Sequence, residues 1–304
     1  MTHPEHVIEA EIPMYGDPAP AKGVVSTPAT CESSLMRLAS LAMYASPPPL
    51  AEATAALWRF ISDALKRAGL DGIPGCLDTA VRYNEAWTHP GLLLAQTCGF
   101  PYVKLLRGKV RLVATPIYGH PGCDGPSKCS FIVVGKGSDA RSLEDLFGAR
   151  AAINEPVSNS GVNLFRAAIA PLARDGRFFS SVIETGGHRN SIAAINAGKA
   201  DVAAIDCVTY GNVLRFDPES LAGVRILVQT VRGPGLPLIT RGDATDEEVS
   251  LLRQVLRQAI TEPSLGPVRD VLALKDFVVL SDADYEPLVA LERQAQRLGY
   301  PVIA

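Results

Sequence analysis

Short apolar runs alternate with helical patterns between Ala151 and Tyr210, and this order constrains the fold more than any other feature. Three runs are predicted as strands, namely Ala151–Ile153, Ser181–Ile183 and Val202–Ile205, and the first of them is predicted to be buried. Apolar residues at helical spacing follow the first and the second run. Strands that alternate with helices form parallel β-α-β units. The stretch therefore predicts an α/β fold built on a parallel sheet.

A polar turn, Ser158-Asn159-Ser160-Gly161, separates the first of these strands from the helix that follows. The first N–H groups of a helix are unpaired and its dipole is positive there, so this end attracts anions. Serine hydroxyls add donors, and a glycine allows a ligand to approach the backbone closely. The turn therefore predicts an anion site. The alternative is that Ser158 or Ser160 only caps the helix.

Two other polar residues also follow predicted strands: His188 follows Ser181–Ile183, and Asp206 follows Val202–Ile205. Ligands of open α/β sheets bind beyond the carboxyl ends of the strands. His188, Asp206 and the polar turn are therefore expected to face one crevice. His188 can instead be a surface turn residue, and Asp206 can be a carboxylate that caps the next turn.

The composition is that of a globular protein. The 304 residues are 47% hydrophobic and 20% charged, which suits the core of one large domain or of two lobes. A net charge of −3 and the lack of a basic run argue against nucleic-acid binding. No stretch approaches the roughly 20 apolar residues of a membrane span, so direct membrane insertion is not expected.

Residues 1–34 are rich in proline and are predicted to form an irregular N-terminal arm. Glu5, Glu9 and Glu11 interrupt this segment where a secretory signal needs an apolar core. The residues alone therefore favour a cytoplasmic protein. The alternative is that Met1 is a misassigned start.

The six cysteines are Cys31, Cys76, Cys98, Cys123, Cys129 and Cys207. No two of them form a Cys-x-x-Cys pair, which disfavours a zinc site, and no metal is expected. Cys123 and Cys129 could close a small loop in an oxidising compartment. In the cytosol they would be free thiols, which is the favoured interpretation.

Further elements are predicted on both sides of the central stretch. The predicted strands are Leu38–Met43, Ile73–Thr79, Leu92–Thr97, Val110–Ala114, Phe131–Val134 and Val224–Val228. The predicted helices are Leu50–Ala68, Ser142–Phe147, Asp246–Ile260 and Asp284–Leu298, and Tyr118–Lys128 is predicted as a loop. Tyr44 stands just after the strand Leu38–Met43, while Gln96 and Thr97 end the strand Leu92–Thr97. These polar groups are therefore also expected at strand ends.

Five features occur in an order that resembles one known family. They are Tyr44 after the first strand, the segment Leu94–Pro101, the Ser158–Gly161 turn, Gly187-His188-Arg189 and the segment Ala204–Thr209. From about residue 36 to residue 304 the chain resembles the phosphonate/phosphate-type substrate-binding proteins of ABC importers. The resemblance implies a type II periplasmic-binding-protein fold, with two α/β lobes, two crossing strands and a ligand cleft between the lobes.

The resemblance also implies a division of the chain and a partner. Lobe one would comprise 35–130 plus 230–304, and lobe two would comprise 131–229. An ABC transporter membrane permease would be the partner. The family is exported to the periplasm, whereas the N-terminal residues favour the cytoplasm, so both locations remain open.

Together the residue patterns and the resemblance predict one ligand site. Its residues are Tyr44, Gln96, Thr97, Ser158, Asn159, Ser160, Gly161, His188 and Asp206. Tyr44 can instead be a core aromatic, and Gln96 and Thr97 can cap a helix. Tyr118 and Tyr210 are weaker candidates.

Two titratable residues of this set make specific predictions. His188 beside an anion should hold its proton more strongly, because the opposite charge favours imidazolium. A bare Asp206 carboxylate would repel an anion, so it should accept a hydrogen bond from a protonated group of the ligand. Such a site would disfavour sulfate, which carries no proton near neutral pH.

The predicted function is a non-catalytic binding protein for a small oxyanion: a phosphonate, phosphate or phosphate ester. Hinge closure would bring donors from both lobes to the ligand, and no cofactor is expected. One alternative is a cytoplasmic enzyme on the same scaffold, in which His188 activates Cys98 or Cys207. Another is a module that senses a ligand for a partner.

Overall fold

The computed structural model describes residues 37–304. The arm predicted at residues 1–34 lies outside the described residues. The strands are β1 Leu38–Ser40, β2 Leu92–Gln96, β3 Val110–Tyr118, β4 Cys123–Asp124, β5 Ser127–Lys128, β6 Ser130–Gly135, β7 Arg150–Ile153, β8 Ser181–Glu184, β9 Val202–Asp206, β10 Val224–Gln229, β11 Gly233–Pro234, β12 Leu238–Arg241 and β13 Leu274–Val278. The helices are α1 Pro48–Arg67, α2 Tyr83–Ala86, α3 Gly99–Pro101, α4 Leu164–Ile169, α5 His188–Asn196, α6 Cys207–Phe216, α7 Asp246–Thr261, α8 Gly266–Leu272 and α9 Asp282–Arg297.

The first sheet has the strand order β1-β2-β12-β3-β13, with β1 parallel to β2 and β12 antiparallel to both of its neighbours. Helix α1 starts with prolines, which suit its first turn because the first N–H groups need no helical partner. Its residues Trp58, Ile61 and Leu65 pack into a core shared with α7 and the sheet. A capping box of Thr245 and Glu248 starts α7.

The second sheet has the order β10-β6-β9-β7-β8, in which β7 is parallel to both β8 and β9. This arrangement confirms the parallel β-α-β units predicted between Ala151 and Tyr210. Strands β6 and β10 add an antiparallel edge, so the sheet is mixed. Its core contains the fully buried Phe165 of α4 and Tyr300 beyond α9.

The chain passes between the two sheets twice. One connection, from β3 to β6, contains the hairpin of β4 and β5; the other, from β10 to β12, contains β11. The two connections pair with each other through β5 and β11, where Lys128 lies opposite Gly233. These are the two crossing strands that the family resemblance implied. Residues beyond β13 contribute to both cores, since Tyr285 packs near Phe100 and Tyr300 packs near the second sheet. The predicted lobe boundaries stay a prediction.

Several predicted elements need correction. Residues 73–79 form no strand, because Gly72, Pro74 and Gly75 interrupt the run and the Pro74 carbonyl accepts from Trp58 and Ser62 of α1 instead. The loop predicted at Tyr118–Lys128 contains the β4–β5 hairpin.

Other elements differ in length or were missed. β1 ends at Ser40, since Ala42–Tyr44 form a 3₁₀ turn. The predicted helix Ser142–Phe147 is a single 3₁₀ turn, Glu144–Leu146. The sequence patterns missed β11, β12, β13, α2, α6 and α8. Within residues 37–304, no helix combines the length and apolarity needed to cross a bilayer.

Candidate functional site: a polar cleft between the two sheets

A cavity of about 240 Å³ lies where strand ends of the two sheets face each other. Its walls come from the residues that follow β1, β2, β7, β8 and β9, and from α2 just before β2. The predicted site residues Tyr44, Ser158 and His188 line it. The cavity therefore lies at the position expected for a ligand of an α/β fold, beyond the carboxyl ends of parallel strands.

Beside the cavity, Tyr44 and Asp206 meet a lysine that the sequence patterns did not select. The Tyr44 hydroxyl donates to Asp206 Oδ1 at 3.1 Å, which joins the end of the first sheet to the end of the second. Lys128 Nζ donates to the Tyr44 hydroxyl at 2.6 Å and forms an ion pair with Asp206 Oδ2. The Lys128 and Asp206 side chains are 4% and 2% exposed. The buried carboxylate thus has a buried counter-ion.

Asp206 also caps α6. Its Oδ1 accepts from the backbone N–H groups of Val208 at 2.9 Å and Thr209 at 3.2 Å. The capping alternative stated for Asp206 is therefore what the structure shows. The premise of a bare carboxylate was wrong, because Lys128 comes from a segment that was predicted only as a loop. The expectation that Asp206 receives a proton from the ligand remains untested.

The Ser158–Gly161 turn starts a π-helical turn, Asn159–Asn163, that leads into α4. Ser158 caps this turn by accepting from the Gly161 N–H at 3.1 Å, and Ser158 also lines the cavity. A Cβ at Gly161 would lie 1.8 Å from Asn154 Oδ1. The glycine therefore makes room for the Asn154 side chain, and the predicted close approach of a ligand at this point is not needed to explain it. Asn159 and Gly161 are buried in the turn behind the cavity wall.

Ser160 and His188, which follow the neighbouring parallel strands β7 and β8, form a pair, with Ser160 Oγ 2.9 Å from His188 Nε2. Burial and the nearby Lys128 ammonium lower the pKa of His188 to about 3, although the Ala204 carbonyl opposes the shift. The histidine is therefore neutral at pH 7 in this state. The predicted rise in the pKa of His188 depends on a bound anion, whose charge would offset the effect of burial.

The N-terminus of α5 faces the cavity, since Gly187, His188 and Arg189 all line it. Gly187 occupies the cap position and no side chain caps the helix. This end therefore offers free N–H groups and a positive dipole. Arg189 follows at once and forms an ion pair with Asp217 at 2.5 Å. The sequence patterns included Arg189 in a motif but did not select it, although its position beside His188 was a usable signal.

Unpaired polar atoms concentrate at this cavity. Within residues 37–304, five buried side-chain nitrogen or oxygen atoms have no hydrogen bond of acceptable geometry. Three of them, Asn154 Oδ1, His188 Nδ1 and Arg189 Nη1, belong to residues that line the cavity. Buried polar groups without partners are uncommon and costly. Asn154 Oδ1 can only accept and lies against Gly161, and His188 has the Ala204 carbonyl nearby, so Arg189 Nη1 is the donor of this set that is left for a ligand.

Aromatic side chains form another wall of the cavity. Tyr83 and Trp87 pack edge to face with ring centroids 5.4 Å apart, and both line it. The Tyr83 hydroxyl donates to Glu155 Oε2, a second contact between the strand ends of the two sheets. The Glu155 carboxylate disfavours an anion beside it, so an oxyanion is expected nearer to Gly187 and Arg189.

Gln96 and Thr97 do not line the cavity. The Gln96 amide nitrogen lies 3.3 Å from the Leu236 carbonyl and 3.4 Å from the Tyr118 hydroxyl. It borders a separate apolar void of about 50 Å³ in the core of the first sheet. Thr97 is fully buried, and its backbone N–H donates to the Pro237 carbonyl. Their predicted contact with a ligand stays a prediction that this geometry does not support.

Cys98 and Cys207 do not form a hydrogen-bonded pair with His188. Cys98 lines the cavity, and burial raises the pKa of its thiol. Cys207 is fully buried, with its Sγ 3.7 Å from Cys123 Sγ. Cys123 and Cys129 carry thiols and are not bridged to each other. Within the described residues no hydrogen bond joins His188 to a cysteine, because its Nε2 faces Ser160. No group of metal-binding side chains is found in residues 37–304.

The two mixed sheets, their paired crossing connections and the cleft at the strand ends define a type II periplasmic-binding-protein fold. The sequence matches the model of a family described as the phosphonate periplasmic substrate-binding protein of ABC transporters, over residues 49–285. The chain therefore belongs to this family. Its members are described as substrate-binding components of ABC transporters.

Solved structures agree with the fold. A binding protein component of an ABC phosphonate transporter from Pseudomonas aeruginosa superposes with a TM-score of 0.70 at 18% identity, over 86% of this chain and 87% of that one. PhnD1 from Prochlorococcus marinus, in complex with methylphosphonate, gives 0.66 at 16% identity, over 86% and 98%. A Xanthomonas citri protein bound to ATP gives 0.65 at 19% identity, over 88% and 98%.

One curated protein also matches locally. The small ribosomal subunit protein uS2 of Haemophilus ducreyi is 27% identical over 163 residues, which is 52% of this chain. The chain spans 65% of the length of that protein. At this identity and coverage the match does not place the chain in the uS2 family.

Proposed function

We propose that the cleft binds a small oxyanion, with phosphonates, phosphate and phosphate esters as the leading classes. The observation that carries the proposal is the uncapped N-terminus of α5 at the cavity, with the unpaired Arg189 Nη1 next to it. Arg189 Nη1 and the first N–H groups of α5 supply donors for anionic oxygens. The Ser160–His188 pair supplies an additional neutral donor.

The size and lining of the cavity limit the ligand. A volume of about 240 Å³ suits a small organic anion. Tyr83 and Trp87 offer apolar faces to its organic part. The relatives solved with methylphosphonate and with ATP carry ligands of the same phosphorus oxyanion class, which supports the proposal.

The proposed role is the substrate-binding component that delivers this ligand to an ABC transporter permease. Closure of the cleft by rotation of the two sheets about the paired β5 and β11 connections is part of the proposal. The Tyr44–Asp206 and Tyr83–Glu155 hydrogen bonds join the two sides and would be made and broken during that motion.

Titration calorimetry against methylphosphonate, inorganic phosphate, a phosphate monoester and sulfate tests the proposal. We expect binding of at least one phosphorus oxyanion, and Arg189→Gln should weaken it at least tenfold. Arg150→Gln is the matched control, because Arg150 also pairs with an aspartate, Asp201, but lies outside the cavity. No heat and no thermal shift with any of these anions would overturn the proposal.

A further inference from the structure

Lys128 has an unusual place for a charged residue, because it belongs to one of the two crossing connections and its side chain is almost fully buried. It lies at the end of β5, opposite Gly233 of β11. Its ammonium group contacts Tyr44 after β1 and Asp206 at the end of β9. One side chain of a crossing connection thus contacts polar groups of both sheets, beside the cavity that Tyr44 lines.

The hydrogen bonds around Asp206 leave little room for a proton from a ligand. Asp206 Oδ1 accepts from Val208, Thr209 and the Tyr44 hydroxyl. Asp206 Oδ2 accepts from Lys128. Each carboxylate oxygen has about two acceptor positions, so three donors already fill Oδ1 and Oδ2 keeps one position.

The net charge around Asp206, beside the cavity, depends on Lys128. Lys128 and Asp206 cancel, His188 is neutral because its pKa is about 3, and Arg189 is paired with Asp217. The Glu155 carboxylate, which lines the cavity and accepts from Tyr83, keeps its negative charge with or without Lys128. The thiols of Cys98, Cys123, Cys129 and Cys207 also lie near Lys128. Burial raises the pKa of Cys98, whereas hydrogen bonds with Cys123 and Cys129 lower the pKa of Cys207. Without Lys128 a buried carboxylate would stand alone beside the ligand, and a ligand oxygen would then need a proton to be tolerated.

We propose that Lys128 is a specificity-determining residue of this cleft. By neutralising Asp206 it allows the cleft to take the fully ionised form of a phosphorus oxyanion, and also an oxyanion that has no ionisable proton, such as a sulfonate. This inference rests on the proposed function. It replaces the expectation that the site disfavours sulfate, which depended on an unpaired Asp206.

The test is the pH dependence of binding, measured by calorimetry with methylphosphonate and methanesulfonate between pH 5.5 and 8.5. If the dianion is bound, the wild-type affinity for methylphosphonate rises with pH, by up to tenfold per unit, until the ligand's second proton has dissociated. Methanesulfonate does not titrate in this range, so its wild-type affinity reports any titration of the protein alone.

Two variants isolate Lys128. Lys128→Gln should reverse the pH trend for methylphosphonate and weaken methanesulfonate at least tenfold, since Asp206 then lacks its counter-ion. The double variant Lys128→Gln/Asp206→Asn, which removes both charges, should recover methanesulfonate binding. Circular dichroism checks that each variant is folded.

The outcomes separate the inference from the proposed function. Binding by the wild type with an affinity for methylphosphonate that falls through the ligand's second ionisation would overturn the role of Lys128 alone. The same holds if Lys128→Gln folds and keeps the wild-type pH trend. If Lys128→Gln does not fold, the wild type and the double variant still decide. No binding of any oxyanion by the wild type overturns both.

Discussion

The Lys128–Asp206 pair should dominate the stability of the cleft, and a double-mutant cycle can measure this. Lys128→Met removes the ammonium group and leaves a carboxylate that is 2% exposed. Removing one partner of a buried ion pair typically costs about 3–5 kcal/mol. Because Asp206 keeps its bonds from Val208, Thr209 and Tyr44, we expect a loss at the lower end, about 3 kcal/mol.

The reverse variant, Asp206→Asn, should cost less. The asparagine oxygen can still cap α6, so the capping contribution of about 1 kcal/mol is largely kept. Burial also lowers the pKa of Lys128, so an ammonium left without its partner can lose its proton instead of remaining charged. Combining the two substitutions leaves no buried charge. The double variant should therefore be more stable than the sum of the single losses predicts, with an interaction energy of about 2 kcal/mol.

Urea unfolding followed by circular dichroism at pH 7 gives the four free energies of unfolding that the cycle needs. The same cycle on Arg150 and Asp201, an ion pair with both side chains more than 40% exposed, is the control and should show a far smaller interaction energy. An interaction energy below about 0.5 kcal/mol for Lys128 and Asp206 would refute the reasoning, since a buried pair of this kind cannot be uncoupled.

Three other predictions follow from the site. The folded-state pKa of His188, about 3, lies below its ordinary value, so its contribution to stability is present above about pH 6.5 and is lost as the pH falls toward 3. In urea unfolding at pH 4–7, His188→Gln should remove about 1.4 kcal/mol per pH unit of this acid-dependent loss. Equal pH dependence of the free energy of unfolding in the variant and the wild type would contradict the prediction. Gly161→Ala should cost about 1–3 kcal/mol, because its Cβ would meet Asn154 Oδ1, and adding Asn154→Ala should restore most of that; no restoration would show that another contact requires the glycine. Iodoacetamide should modify Cys98 faster than the fully buried Cys207 in the native protein, measured by peptide mapping; the opposite order would restore Cys207 as a reactive thiol.

The sequence predicted the parts of this molecule that depend on local patterns. Val202–Ile205 is uniformly apolar and proved to be a buried central strand, β9, because a strand covered on both faces needs no alternation. The order of polar residues after such strands placed Tyr44, Ser158 and His188 at one cavity. Gln96 does not line the cavity, because a polar residue at a strand end can also point into the sheet interior, where its amide has backbone and tyrosine partners.

Lys128 could not be found in this way, because what places it in the site is a pairing between segments far apart in the chain. Ser130 of β6 lies opposite Asp206 of β9, and Lys128 precedes Ser130 by two residues. Side chains two residues apart along an extended chain lie on the same side, so this register directs Lys128 toward Asp206. A slip of one residue would replace the ammonium with the thiol of Cys129 or the hydroxyl of Ser127. The charge of the cleft, and with it the form of ligand proposed to bind there, therefore depends on the register of β6 against β9.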